Sequence, residues 1–150
     1  MIRVRFATAD DLLSLFKMAV HMHGETEFGN IELNPEKLLS GLAGWISNAV
    51  ILIAEKDGEI VGMLCASMKT CWFSDKTFAS EDLFYVAPEH RGSRAGYMLM
   101  KALLAWGEEQ GAHHCAAGVA TGTGEGAERL YKHFGMKHVG GNYVTYYARD

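Results

Sequence analysis

The sequence predicts a mixed α/β layer fold, a central mixed sheet flanked by helices on both faces, and three observations carry it. Runs of strand length and stretches with apolar residues at helical spacing alternate along the chain in the order β-α-α-β-β-β-α-β-α-β-β. Lys56-Asp57-Gly58 is a hairpin signal between two apolar runs. Residues 82–100 pass from an apolar strand, through a turn holding Pro88, Gly92 and Gly96, into a long amphipathic helix.

Each element has its own local reason. Residues 2–6 alternate as a short first strand. Thr8 is an N-cap with Asp11 at the capping-box position, and Leu12, Leu15, Phe16, Ala19, Val20 and His23 form one helical stripe that Gly24 ends. Asn34-Pro35 starts a second helix that runs to about Ser47, because proline is tolerated at the first helical position. Val50–Glu55 and Glu59–Met68 are strands, and Thr77–Val86 is the next. Ser93–Glu109 is the long helix, stopped by Gly111. His113–Val119 is a strand and Gly126–Phe134 a helix. Met136–Val139 and Tyr143–Ala148 then pair as a terminal hairpin across Gly140-Gly141. No linker or repeat interrupts this order, so residues 1–150 read as a single domain.

Bulk properties narrow the function. A chain of 150 residues is large enough to bury ~70% of its unfolded surface. A net charge of −4 argues against a nucleic-acid partner, which calls for a basic face. Any anionic ligand must then be held by local positive groups. Cys65, Cys71 and Cys115 make an odd count without metal-ligand spacing, which reads as reduced thiols in a cytoplasmic protein. The first residues alternate like a strand rather than a signal peptide, and no apolar run is long enough for a membrane span.

The strand–turn–helix at residues 82–100 is a backbone anion site. Unpaired N–H groups and the helix dipole favour negative charge at a helix start, and Arg91 and Arg94 add two permanent cations. A phosphorylated ligand fits it. The P-loop pattern Gly-x-x-x-x-Gly-Lys-Ser/Thr does not occur, and a dinucleotide fingerprint belongs near a first strand rather than past residue 86. Arg91-Gly92-Ser93-Arg94-Ala95-Gly96 instead resembles the pyrophosphate loop of the GNAT superfamily of acyl-CoA-dependent N-acetyltransferases, Gln/Arg-x-x-Gly-x-Gly/Ala, with Arg94 where that pattern has glycine. Ala127-Glu-Arg-Leu-Tyr-Lys-His-Phe-Gly-Met136 resembles the same superfamily's later block, Ala-x-x-Leu-Tyr-x-x-x-Gly-Phe, with Met136 for phenylalanine. The two blocks stand in that family's order and spacing.

The resemblance implies a GNAT-like sheet and transfer of an acetyl group from acetyl-CoA, as co-substrate, to a primary amine of a small molecule or peptide. It implies that the main chain of Phe84, Tyr85 and Val86 pairs with pantetheine. Gly92, Ser93, Ala95, Gly96 and Tyr97, with Arg91 and Arg94, would then hold the pyrophosphate. Tyr131 falls where the superfamily places a phenol that protonates the departing thiolate. An amine of pKa near ~10 arrives protonated at neutral pH, so a carboxylate or a water must take a proton. Glu81 and Asp82 stand beside the anion loop. Neighbours in a strand face opposite ways unless a bulge intervenes, and resemblance favours Glu81 with Asp82 as the alternative. The ladder must also open near Val86, because a fully paired strand has no free groups to offer.

Other features carry less. Where many members of the superfamily have an asparagine seven residues before the tyrosine, this chain has Gly124, with Thr121 and Thr123 as substitutes. The run 121–126 reads as a connection into a helix rather than a nucleotide loop, since Glu125 would repel phosphate. His21 and His23 lie two apart on a helix and His113-His114 are adjacent in a strand, so no metal site is expected. Glu25, Glu27 and Glu32 would suit a cationic acceptor or form a solvated acidic loop, and Cys71-Trp72-Phe73-Ser74 would wall a pocket or meet a second subunit. A homodimer is compatible with the resemblance. The competing readings are a non-catalytic acyl-CoA or nucleotide-binding module on the same fold, or an interaction protein without a cofactor.

Overall fold

A computed structural model describes residues 1–119 and 125–148, Glu125 by its main chain alone. The elements are β1 (Ile2–Phe6), α1 (Leu12–Glu25), α2 (Pro35–Asn48), β2 (Val50–Lys56), β3 (Glu59–Thr70), β4 (Thr77–Val86), α3 (Ala95–Glu109), β5 (His114–Ala116) and α4 (Glu125–His133), with 3₁₀ turns at Ala9–Asp11 and Pro88–His90. The sheet has the order β1-β2-β3-β4-β5. Its first four strands pair antiparallel, and β5 pairs parallel to β4.

Local signals account for most of these boundaries. Thr8 N–H donates to Asp11 Oδ2 at 2.8 Å, and Asn34 Oδ1 accepts from Lys37 N–H at 3.0 Å, so the 3₁₀ turn that leads into α1 and the start of α2 both carry caps. Asp57 at φ 52° and Gly58 at φ 83° make a two-residue turn of the type that matches the twist of a hairpin. α1 continues one residue past Gly24 to Glu25. Val20, expected on the buried stripe, is 40% exposed. α3 starts at Ala95 rather than Ser93, because Ser93 is used as a turn residue whose Oγ accepts from Ala95 N–H at 3.2 Å.

The core lies in two layers, one on each side of the sheet. Leu52, Ala54, Leu64, Ala66 and Ala79 pack with Leu99, Met100, Leu103 and Trp106 of α3. Ile51, Ile53, Met63, Cys65 and Tyr85 pack with Leu15 and Ala19 of α1 and Leu42 of α2. Strict alternation along β2 and β3 sends neighbouring residues into different layers. Two bulges interrupt it. Ala54 faces Gly62 while Glu55 faces Ile60, which leaves Val61 as an extra residue. Cys65 faces Leu83 while Ala66 faces Glu81, which makes Asp82 the extra residue of β4.

Gly107 lets α3 approach the sheet closely. A Cβ there would lie 2.9 Å from Ala79 Cβ, closer than carbon atoms pack. Gly107→Val is expected to lower stability by about 1–3 kcal/mol through overpacking, measured by urea denaturation.

The expected terminal hairpin does not form: after β5 no strand is assigned among the described residues. Register needs a buried face to define it. Residues 136–148 bury little, with Val139 at 87% and Tyr143 at 99% exposure. β5 spans three residues instead of the expected seven, so it gives an added strand little to pair with. Among the described residues no helix is long and apolar enough to cross a membrane.

Candidate active site

β4 and β5 share pairing only over Phe78–Ser80 and His114–Ala116, although β4 runs on to Val86. The ladder therefore parts after Ser80, as a strand offering main-chain groups to a ligand requires. A cleft of about 600 Å³ opens against the unpaired end of β4 beyond this point. Its walls include Phe84, Tyr85 and Val86 at the end of β4, Arg91, Gly92, Ser93, Gly96 and Tyr97 at the turn into α3, and Arg129, Leu130 and His133 of α4.

Eight of the ten expected cofactor residues line this one cleft, and two do not. The Ala95 side chain is fully buried in the α3 layer and its N–H is engaged by Ser93 Oγ. The Arg94 guanidinium lies 5.2 Å from the centre of the Tyr97 ring. Gly92 has φ 86°, a left-handed conformation that glycine alone adopts without strain. The N–H groups of Gly96 and Tyr97 lie in the first turn of α3, where a helix supplies no acceptor of its own. Ser93 N–H is turned inward to His90 O at 3.2 Å. The turn thus combines outward amides, a helix start and cations, the donor set suited to a pyrophosphate.

Glu81 and Tyr131 meet at one residue, Gly118, on the two peptide units that flank it. Glu81 Oε2 accepts from Gly118 N–H at 3.3 Å, and Tyr131 OH donates to Gly118 O at 3.0 Å. Burial pushes the Glu81 carboxyl up to about 7; the Gly118 bond opposes this shift and the Asp82 charge adds to it. Burial, with the nearby Glu81 and Cys115, raises the Tyr131 phenol well above its usual value, so it stays protonated.

Asp82 belongs to a different environment. Ser67 Oγ at 2.6 Å and Trp45 Nε1 at 3.2 Å donate to its Oδ2, while Ser80 Oγ at 3.0 Å and Lys69 Nζ at 3.1 Å reach Oδ1. Burial would raise its pKa, but these four bonds outweigh burial and hold the carboxyl below its ordinary value. The bulge turns Asp82 toward α2, and the carboxylate there ties that helix to the sheet.

The remaining candidates resolve simply. Cys65, Cys71 and Cys115 are free, and burial pushes the Cys65 thiol up to about 12 and the Cys115 thiol up to about 11. His113 Nδ1 and His114 Nδ1 approach to 2.9 Å instead of facing apart, because His113 precedes β5 and escapes strand alternation. Among the described residues no group of three or more His, Cys, Asp or Glu could hold a metal. Glu25 pairs with Arg91, and Glu27 accepts from Tyr146 OH at 2.9 Å. Trp72 and Phe73 are exposed, in edge contact with each other. Gly124, Thr121 and Thr123 lie outside the described residues.

Sequence reasoning missed Gly118, which no motif marks. It also missed the polar side chains that α4 brings to the cleft. Gly126, Arg129, Leu130 and His133 recur at helical spacing, so a search for polar residues on that face would have found Arg129 and His133.

The model of the acetyltransferase (GNAT) family matches residues 18–136. No curated protein matches the sequence. Among solved structures, a protein described as a possible acetyltransferase from Clostridium difficile 630 superposes with TM-score 0.77 at 18% identity, over 100% of this chain and 99% of its own. AAC(6')-Iy, in complex with the bisubstrate analogue CoA-S-monomethyl-acetylneamine, gives 0.74 at 15% identity, over 100% of this chain and 99% of its own. A crystal structure described as a probable acetyltransferase gives 0.77 at 21%, over 99% of both chains. At these identities the likeness is one of fold.

Proposed function

The chain belongs to the GNAT acetyltransferase family, and on that premise we propose that it moves an acetyl group from acetyl-CoA to a primary amine by direct attack of the amine on the thioester. The observation that carries this reading is the meeting of Glu81 and Tyr131 at Gly118, where the β4–β5 ladder has just parted and Tyr131 stands one residue beyond Leu130 of the cleft wall. In this reading Gly92, Gly96 and Tyr97 offer main-chain N–H groups to the pyrophosphate, Ser93 shapes the turn, and Arg91 and Arg94 supply charge. The Ala95 contribution reduces to starting the helix, because its own N–H is engaged. In the same reading Phe84, Tyr85 and Val86 pair with the pantetheine amides, and the open edge after Ser80 supports it.

Proton movements follow from the two side chains. Glu81, ionised above about pH 7, accepts the proton that the ammonium of the acceptor must lose, directly or through a water. The amine nitrogen forms a bond to the carbonyl carbon, and the C–S bond breaks as the tetrahedral intermediate collapses. Tyr131 OH donates toward the departing sulfur, stabilising charge where it develops. A thiol with its pKa raised to about 11 is not a nucleophile at neutral pH, so Cys115 gives no support to an acyl-enzyme route. The complex of AAC(6')-Iy with the bisubstrate analogue CoA-S-monomethyl-acetylneamine makes cationic amines the natural first acceptors to assay.

Calorimetric titration with acetyl-CoA, with ATP and NAD as controls, tests the reading, followed by an amine panel. Selective binding with turnover is expected. Binding without transfer to any amine would favour the non-catalytic module, and no binding would sink both. Arg91→Ala is expected to weaken acetyl-CoA binding by about 1.5–3 kcal/mol, the range for hydrogen bonds to charged groups, in the same titration.

A further inference from the structure

Arg91 is held in place by groups of the protein itself. Its Nη2 donates to Glu25 Oε2 at 2.7 Å, its Nε donates to Val86 O at 2.9 Å, and its guanidinium carbon lies 5.3 Å from the centre of the Tyr85 ring. The other oxygen of Glu25 accepts from Tyr85 OH. Glu25 is the last residue of α1, which packs on the face of the sheet opposite α3. Tyr85 and Arg91 both line the cleft. The carboxylate therefore occupies, on the Arg91 fork, the kind of position that a phosphate oxygen of a ligand would take.

We propose that Glu25 is an internal competitor for the anion site: a phosphorylated ligand must draw Arg91 away from Glu25, so Glu25 sets both the affinity and the charge threshold of the cleft. This inference rests on the reading of the cleft as the acetyl-CoA site. The geometry makes the exchange feasible. The two side chains are 50% and 34% exposed, so their ion pair is a screened one of modest strength. A pyrophosphate brings more charge and several acceptor oxygens, and it gains the outward amides of the turn as well. A singly charged carboxylate ligand would only replace one carboxylate by another. The internal pair thus favours phosphorylated ligands over simple organic acids.

Tyr85 gives the exchange a defined end state. Its hydroxyl bonds to Glu25 Oε1, so the carboxylate has an anchor independent of Arg91. Once Arg91 turns to the phosphate, Glu25 stays on the α1 side of β4 as an anion without its counter-ion. The apparent affinity for the ligand is lowered by the fraction of molecules in which Glu25 holds Arg91. Removing the charge of Glu25 therefore strengthens binding, the opposite of what loss of a merely structural contact does.

The test is a double-mutant cycle read by calorimetric titration of wild type, Glu25→Gln, Arg91→Ala and the double variant, with acetyl-CoA and separately with inorganic pyrophosphate. Glutamine keeps an oxygen for Tyr85, and Glu25→Asp, which retracts the carboxylate from Arg91, is the second variant. Glu25→Gln is expected to bind both ligands roughly 2- to 10-fold more tightly than wild type, the size of a partly exposed ion pair. In the Arg91→Ala background the same change is expected to alter affinity less than about 2-fold, because the competitor has lost its target. Unchanged or weaker binding by Glu25→Gln, or an equal gain without Arg91, overturns the proposal. If wild type ignores acetyl-CoA while the cycle holds with pyrophosphate, the cofactor reading fails and the competitor stands.

Discussion

Glu81→Gln is expected to lower turnover at saturating acetyl-CoA by about 10²-fold or more, the usual contribution of a positioned general base. The wild-type rate should climb through a limb centred near pH 7, since burial pushes this carboxyl up to about 7 and only its ionised form accepts a proton. That limb should vanish in the variant. Stability should move the other way. Between the ordinary value of 4.5 and about 7, folded Glu81 keeps a proton that the unfolded chain has released. Stability contributed by this group therefore falls as pH rises through that window. Above pH 7 the native site carries a buried charge whose hydrogen bond to Gly118 N–H only partly compensates it. Glutamine can accept the same bond without the charge, so the variant should melt at a higher temperature than wild type at pH 8, with little difference at pH 4. A variant with undiminished rate at every pH would remove Glu81 from the mechanism.

Tyr131→Phe should separate chemistry from binding. The ring packs beside the α3 layer with Leu130 and Phe134, and phenylalanine keeps that packing. What disappears is the hydroxyl that donates to Gly118 O at 3.0 Å and, in the proposed reaction, toward sulfur. Turnover is expected to fall by about 10²-fold, while the dissociation constant of acetyl-CoA stays within about 2-fold by titration. The lost hydrogen bond should cost about 0.5–1.5 kcal/mol of stability, too little to account for the rate. The variant should also lose less with an acetyl thioester whose thiol is more acidic, because such a leaving group needs less help. A deficit that does not depend on the leaving group would point to positioning of Gly118 instead.

The conformation of the turn from Pro88 to Gly96 was legible because its information is local. Gly92 is needed where φ is 86°, Pro88 opens the turn, and Ser93 bonds to its neighbours within three residues. Sequence alone could not choose between Glu81 and Asp82, because strand alternation allows either to face the cleft. The extra residue at Asp82 settles their surroundings, and a bulge depends on how β3 and β4 register rather than on either residue. The link from Arg91 to Glu25 was equally out of reach. It joins the end of α1 to a loop beyond β4, and only packing on both faces of the sheet brings them together.

The terminal hairpin shows the limit from the other side. Tyr143–Ala148 has the composition of a strand, yet composition acts through burial and partners, and this segment has little of either. Periodicity, caps and turn residues determined the order of the elements from Ile2 to His133, because each of those signals acts within a few residues. Tertiary structure decided where the ladder parts, which carboxylate sits beside Tyr131, and which anion holds Arg91. Those outcomes depend on strand register, burial and contacts between residues distant in the chain, which no local pattern encodes.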